Sequence, residues 1–145
     1  MSFDFALQKV MNLREQEQQS SQHQYTEAMN EFEQVATELY ELLKKKENLE
    51  ELGREKVTNG ISIYELQSSQ SQLMRLQQAI SDQQRNTQLA RERMKRKEQD
   101  MVKRSIEYKK YEKMKQVKFT QYKQEQIYLD NVQMDEIAIQ LFQKR

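Results

Sequence analysis

The sequence contains no cysteine, no proline and no tryptophan, and it has only two glycines. Without cysteine the chain forms neither disulfides nor thiolate metal sites, which is compatible with a reducing cytoplasm. Without proline, little interrupts a helix along the chain. No apolar run approaches the ~20 residues that span a bilayer, and the N-terminal residues lack the pattern of a secretory signal. These absences predict a soluble helical protein that reaches a membrane only through a partner.

Charged residues make up 32% of the 145 positions and apolar residues 36%. Such a composition, with long runs of Glu, Lys, Gln, Leu and Met, is typical of a coiled coil and leaves too little apolar surface for a thick core. We therefore expect one coiled-coil domain over residues 1–145.

The best-marked local signal is a helix start at Ser62. This residue can accept a hydrogen bond from the first helical turn, and Glu65 can reach back to complete a capping box. Ile61 and Leu66 have the spacing of a hydrophobic staple across the same cap.

Both glycines lie just before this helix start. Gly53 can adopt the left-handed conformation that often ends a helix, and the Asn59-Gly60 pair is typical of a turn. The pattern predicts a hairpin with helix 1 at about 5–52, a turn at 53–61 and helix 2 at about 63–143. A single continuous rod with a soft spot is the alternative.

Apolar residues recur at steps of three and four in both predicted helices, as a heptad seam requires. In helix 1 the seam is clearest near the turn, at Tyr25, Ala28, Phe32, Val35, Leu39, Leu42, Lys46 and Leu49. In helix 2 it comprises Leu66, Ser69, Leu73, Leu76, Ile80, Gln83, Thr87, Ala90, Met94, Lys97, Met101, Arg104, Tyr108 and Tyr111.

These seams predict an all-α fold, a long antiparallel two-helix coiled-coil hairpin. Folding about residue 57 sets Leu39 opposite Leu76 and Phe32 near Gln83. Met1 then lies near Lys113, so about thirty residues of helix 2 overhang helix 1, roughly 45 Å at the usual rise.

Charge is segregated along the chain although the formal net charge is only +1. Residues 1–56 carry 7 basic and 12 acidic side chains, and residues 85–123 carry 14 basic and 5 acidic ones. An acidic helix favours an antiparallel basic partner, and the excess basic charge leaves a face for another molecule.

No catalytic or metal-binding pattern is present. The one histidine, His23, lies in a polar stretch with no second histidine or thiol to complete a metal site. The glycines are not part of a phosphate-binding loop. We expect no enzyme activity, no metal and no cofactor.

The basic run from Arg91 to Lys118 has three interpretations. It can be a solvated helix face, a nucleic-acid surface or a surface for an acidic protein. Interleaved acidic residues such as Glu92, Glu98 and Asp100 argue against nucleic acid, so an acidic protein surface is the better candidate.

The C-terminal tail is amphipathic. Ile127, Met134, Ile137 and Leu141 share one helical face with Asp130. A helix with an apolar face and no internal partner either frays or docks onto another molecule, and both interpretations stay open.

The whole chain resembles the FliJ family of the bacterial flagellar export apparatus. The resemblance rests on the opening FDFALQKVMNLREQE, the TNGISIYELQ turn, the LMRLQQAI start of helix 2 and the basic EYKKYEKMKQVKF run. It implies a two-helix coiled coil similar to the central stalk of rotary ATP synthases.

The resemblance further implies two partners. The open end enters the hexameric export ATPase FliI and promotes its ring assembly, and the turn-proximal half contacts the export gate protein FlhA. The family also handles substrate chaperones. This implies flagellum biogenesis as the process and a cytoplasmic location, peripheral to the membrane through these proteins.

Three groups of candidate site residues follow. The basic face supplies a candidate ATPase-facing stripe of Arg91, Arg93, Arg96, Lys97, Lys103 and Arg104. The resemblance implies a gate-facing patch of Leu42, Lys45, Leu49, Gln72, Leu76 and Ala79, flanked by Glu38 and Gln83. The tail supplies a candidate docking face of Ile127, Met134, Ile137 and Leu141.

Two other functions remain open at the level of sequence. One is a stalk or scaffold of another secretion system or of a rotary ATPase, and the other is a generic coiled-coil scaffold.

Overall fold

The computed structural model describes residues 2–144, which form two long helices. Helix α1 is Gln8–Asn59 and helix α2 is Ile63–Gln143, and residues 2–144 contain no β-strand. The two helices pack against each other, which confirms the predicted all-α helical hairpin.

The chain divides into two compact units, each of which contains part of both helices. One unit is Ser21–Met101 and includes the turn, and the other comprises residues 2–20 and 102–144. We refer to them as the turn unit and the terminal unit.

The turn itself consists of three residues with strong local determinants. Gly60 has a φ of 88°, and its N–H donates to the Val57 carbonyl at 3.3 Å. The Ser62 hydroxyl accepts a hydrogen bond from the Glu65 N–H at 3.2 Å, so Ser62 is the N-cap that the sequence predicts. A left-handed glycine followed closely by a capping serine ends one helix and starts the next.

The predicted end of helix 1 at residue 52, with a turn over 53–61, is wrong. Helix α1 continues through Gly53 to Asn59, and Gly60 is the glycine with positive φ. Since Gly53 is followed by good helix formers and one glycine costs only about 1 kcal/mol in a helix, the helix propagates past it. The stronger stop comes where Gly60 and the Ser62 cap act together.

The pairing of the helices differs accordingly from the prediction. Gln83 donates hydrogen bonds to the Val35 carbonyl at 3.1 Å and to Glu38 at 3.0 Å, whereas Arg91 stacks over the Phe32 ring at 5.5 Å. The prediction set Phe32 beside Gln83, so it was wrong by about two helical turns. Moving the reversal from residue 57 towards Gly60 and Ser62 accounts for this shift.

The seam positions themselves are confirmed in the turn unit. Every seam residue of α1 from Tyr25 to Leu49 is buried or half-buried. On α2 the seam residues from Ser69 to Met101 are likewise buried or half-buried, whereas Leu66 is exposed. Ile80 is the most deeply buried large side chain, at 1% exposed. The heptad pattern therefore identifies the helix faces even where the register was wrong.

In the terminal unit, the segment before α1 packs along α2. The Phe3 ring lies 5.3 Å from the Phe119 ring and 5.5 Å from the Tyr122 ring. These contacts lie beyond Lys113, so the overhang is shorter than predicted, about 21 residues from 123 to 143 or roughly 32 Å of helix. The predicted proximity of Met1 to Lys113 lies outside the described residues.

The two glycines provide a matched test of the turn. A Cβ added at Gly53 would meet no atom within 4 Å, whereas Gly60 has a positive φ that disfavours any side chain. We expect Gly53→Ala to raise the free energy of unfolding by about 1 kcal/mol. We expect Gly60→Ala to lower it by about 1–2 kcal/mol. Thermal or urea unfolding monitored by circular dichroism measures both, and changes of the same sign would contradict this position of the turn.

Candidate functional site

Metal binding was considered first, among the side chains that the structure describes. Within residues 2–144, no three His, Asp or Glu side chains are grouped so that they could hold a metal ion. His23 lies 3.0 Å from Glu27 on the same helix, and 74% of its side chain is exposed. The surfaces that remain as candidates are those that could contact another macromolecule.

The part of the basic stripe that lies in the turn unit is largely engaged with α1. Arg93 lies 3.4 Å from Glu31, Lys97 donates to Gln24 at 3.1 Å, and Arg91 covers the Phe32 ring. Arg96 is exposed and borders a shallow groove beside Arg93. Much of the basic charge therefore serves the pairing of the helices, and Arg96 is the member best placed for a partner.

The rest of the stripe lies in the terminal unit. Arg104 donates to Glu17 at 3.2 Å and lies 3.7 Å from Glu107, whereas Lys103 is exposed to solvent. Arg14 also contacts Glu17, at 2.9 Å. Arg14, Glu17, Arg104 and Glu107 form an ion cluster that joins the two helices, and Lys103 stays available beside it.

The ion cluster changes the acidity of its members. The hydrogen bond from Arg14 holds the pKa of Glu17 below its ordinary value, and the charge of Arg104 acts in the same direction. The same bond raises the pKa of Arg14. These pairs favour the charged form of Glu17, so they stabilise the terminal unit where that carboxylate is ionised.

The gate-facing patch is divided between the helix interface and the surface. Leu76 is buried at 8% exposed, and Leu42, Leu49 and Ala79 are half-buried. Lys45 and Gln72 are the exposed members. The flanking pair Glu38 and Gln83 is joined by the hydrogen bond of 3.0 Å described above. These apolar side chains therefore hold the hairpin together and offer only their edges to a partner.

The apolar face of the tail is exposed to solvent. The four predicted docking residues are between 52% and 68% exposed, and they are Ile127, Met134, Ile137 and Leu141. Ile139 and Phe142 are also exposed, at 57% and 80%. The apolar surface of the tail thus extends beyond the single stripe that the sequence predicted.

An aromatic groove in the terminal unit was missed by the sequence reasoning. It has a volume of about 800 Å³, and Phe3, Phe5, Leu7, Met114 and Tyr128 are among its lining residues. The signal was present in the alternating FDF opening and in the spacing of Phe119 and Tyr122, which places both rings on one side of a helix. The groove adds an apolar surface next to the tail.

A second groove lies beside the turn. It has a volume of about 540 Å³, and Gly53, Val57, Ile61, Leu66 and Leu73 are among its lining residues. The sequence reasoning used Gly53 to end helix 1 and so did not place it in a surface groove.

The described part of the chain has no helix that is both long and apolar enough to cross a membrane. Two long packed helices, exposed basic side chains on α2 and an exposed apolar tail are the features of a two-helix coiled-coil protein.

Comparison with known proteins identifies the family. Residues 3–145 match the family described as "Flagellar FliJ protein". The chain is 33% identical over 142 residues to the "Flagellar FliJ protein" of Bacillus subtilis (strain 168), covering 98% of this chain and 97% of that protein. The chain therefore belongs to the flagellar FliJ family. No solved structure matches it significantly.

The ion cluster predicts a pH dependence of stability. Because the folded-state pKa of Glu17 is lowered, its stabilisation is present above the ordinary pKa of 4.5 and is lost as the pH falls through the folded value. We expect Glu17→Gln to lower the melting temperature at pH 7. The difference from the wild-type protein should shrink as the pH falls below about 4.5.

Thermal melts from pH 7 to pH 2 measure this difference, with the exposed Glu33→Gln as the matched control. A difference between wild type and Glu17→Gln that stays constant over this range would contradict the role assigned to the cluster.

Proposed function

We propose that this chain is a non-enzymatic stalk of the flagellar protein export apparatus. It promotes assembly and activity of the hexameric export ATPase FliI and couples that ring to the export gate protein FlhA. The observation that carries the proposal is membership of the flagellar FliJ family over nearly the whole chain. The same membership favours a flagellar role over another secretion system or a generic scaffold.

The terminal unit suits the contact with the ATPase ring. It combines the exposed Lys103, the aromatic groove and the apolar tail on neighbouring parts of one unit. Apolar surface supplies affinity on desolvation, whereas exposed basic charge supplies orientation and speed of association. An acidic lining of the ring would complement this surface, and the interaction would weaken as salt rises.

Contact with the gate belongs in this proposal to the turn-proximal part of the turn unit, residues 42–79, which excludes the basic stripe. Lys45 and Gln72 are exposed there beside the edges of Leu42, Leu49 and Ala79. A partner that packs on this patch uses mainly polar contacts, since Leu76 is already committed to the helix interface. The coupling places the chain at the cytoplasmic face of the membrane through its partners. Substrate chaperones are further partners that the family resemblance suggests.

The basic contact can be tested with two charge reversals that spare the hairpin. Reversal of Arg93 or Lys97 would also break contacts with Glu31 or Gln24. We therefore choose Arg96→Glu with Lys103→Glu, both exposed and outside those contacts. Each reversal would replace a proposed ion pair with the ATPase by a repulsion. The concentration of this protein that gives half-maximal ATPase activation should therefore rise on the order of tenfold.

The measurement is ATP hydrolysis by the purified cognate export ATPase as the protein is titrated in, at low and physiological salt. The matched control is Arg54→Glu with Arg75→Glu, which changes the net charge equally at two exposed arginines of the turn unit. Circular dichroism checks that helicity is unchanged. If the wild-type protein does not activate the ATPase under any condition, the stalk proposal is wrong. Equal activation by both double variants would instead remove the basic stripe from it.

A further inference from the structure

In the terminal unit, α2 has an outer face on the side of the helix that points away from α1. Arg104 contacts α1, and Tyr108 and Tyr111 follow it on the same side of α2 and are half-buried. On the opposite side of the helix, Ile106 is 52% exposed and Val117 is 49% exposed. Exposed apolar side chains along one side of a long helix are typical of a surface that packs against another helix.

The charges on this part of α2 form two adjacent blocks of opposite sign. Residues 102–118, the basic block, carry seven basic and two acidic side chains, whereas residues 124–143, the acidic block, carry four acidic and no basic side chains. Glu107 in the basic block is half-buried beside Arg104, so the exposed charge of that block is more strongly positive. The two blocks have similar lengths, about 25 and 30 Å of helix.

Both blocks contribute to the outer face. At about 100° per residue, six exposed side chains of the two blocks fall within an arc of roughly 60°. In chain order they are Ile106, Lys110, Val117, Tyr128, Asp135 and Ile139. Their order is apolar, basic, apolar, aromatic, acidic, apolar, so the face is complementary to itself when a second copy runs in the opposite direction.

We propose that this outer face is the interface of an antiparallel homodimer, in which the basic block of each chain packs on the acidic block of the other. The register that places the two-fold axis near residue 122 forms three pairs, each of them twice: Lys110 with Asp135, Val117 with Tyr128, and Ile106 with Ile139.

A depression on the basic block suits the aromatic side chain that this register brings to it. It has a volume of about 470 Å³, and it is lined by Met114 and Val117 together with Lys110, Lys113 and Lys118. Tyr128 is 67% exposed in the single chain, and in the dimer its ring packs over Val117 of the other copy. The lysine stems can cover the edges of the ring while their ammonium groups stay in water.

The charge pattern selects a second copy over other occupants. An anionic lipid surface or a nucleic acid complements only the basic block, and it repels Asp135 and the other carboxylates of the acidic block. A different protein would have to present the reverse order of charges over the same length, whereas an antiparallel second copy does so by symmetry. Since the interface covers part of the exposed tail, the dimer cannot use that part for the ATPase contact proposed above.

Two charge reversals test the pairing. Lys110→Asp places a carboxylate opposite Asp135, and Asp135→Lys places an ammonium group opposite Lys110. Either variant alone should therefore weaken the dimer on the order of tenfold at low salt. A mixture of the two variants should restore dimerisation, because both charge pairs are attractive again in the mixed dimer.

Both reversals are at exposed positions, so the hairpin itself is spared, and circular dichroism checks that helicity is unchanged. The matched control is Lys95→Asp, which makes the same change at an exposed position of the turn unit. This control should dimerise as the wild type does.

Sedimentation equilibrium of the full chain over about 1–200 µM measures the monomer–dimer equilibrium. The wild type should dimerise, more weakly as salt rises. The proposal is overturned if the wild type stays monomeric or forms larger assemblies, if both reversals leave the dimer unchanged, or if their mixture dimerises no more tightly than each alone. A monomeric wild type that sediments with phosphatidylglycerol vesicles would also overturn it and assign the basic block to a lipid surface.

Discussion

Every contact between the helices depends on where the chain reverses direction. In an antiparallel pair, moving the reversal by a few residues slides one helix past the other by twice that amount. Here the reversal is determined by Gly60, which adopts a left-handed conformation, and by Ser62, which caps the following helix. The pairing of Gln83 with Val35 and of Arg91 with Phe32 follows from these two residues. Because the pairing decides which side chains are buried, it also decides which surfaces stay exposed.

Much of this fold is predictable from sequence because coiled coils obey simple periodic rules. The heptad spacing identified the buried faces of both helices, and the capping pattern at Ser62 identified the start of α2. The register was not predictable with the same rules, because two glycines offered two places to end α1. Helix propensity decides between them, since one glycine is tolerated inside a long helix whereas a glycine beside a cap is a stop.

The candidate surfaces were predictable to different degrees. Arg96 and Lys103 are exposed, and the tail face around Ile137 is open, so these residues can reach a partner. Arg93 and Leu76 are instead used to hold the hairpin together. Composition alone does not distinguish charge that pairs the helices from charge that faces outwards. That distinction needs the register, which is why the groove at Gly53 emerged only from the structure.

The charge segregation has two consequences that belong together. Acidic side chains of α1 pair with basic side chains of α2, as Glu31 does with Arg93 and Glu17 with Arg104, so part of the charge stabilises the pairing. The remaining basic excess on α2 includes the exposed side chains of Arg96 and Lys103, so another part of the charge faces solvent.

The most direct test of this account is the distance between α1 and α2 across the turn unit. Because the chain has no cysteine, nitroxide labels can be placed cleanly at Lys46 and Gln77, whose side chains are 2.7 Å apart, and at Lys46 and Ser68. Double electron–electron resonance measures both distances. Reversal at Gly60 predicts that the 46–77 distance is the shorter one, with Ser68 displaced from Gln77 along the helix by roughly 14 Å. A shorter 46–68 distance would contradict this register and the position of the groove at Gly53.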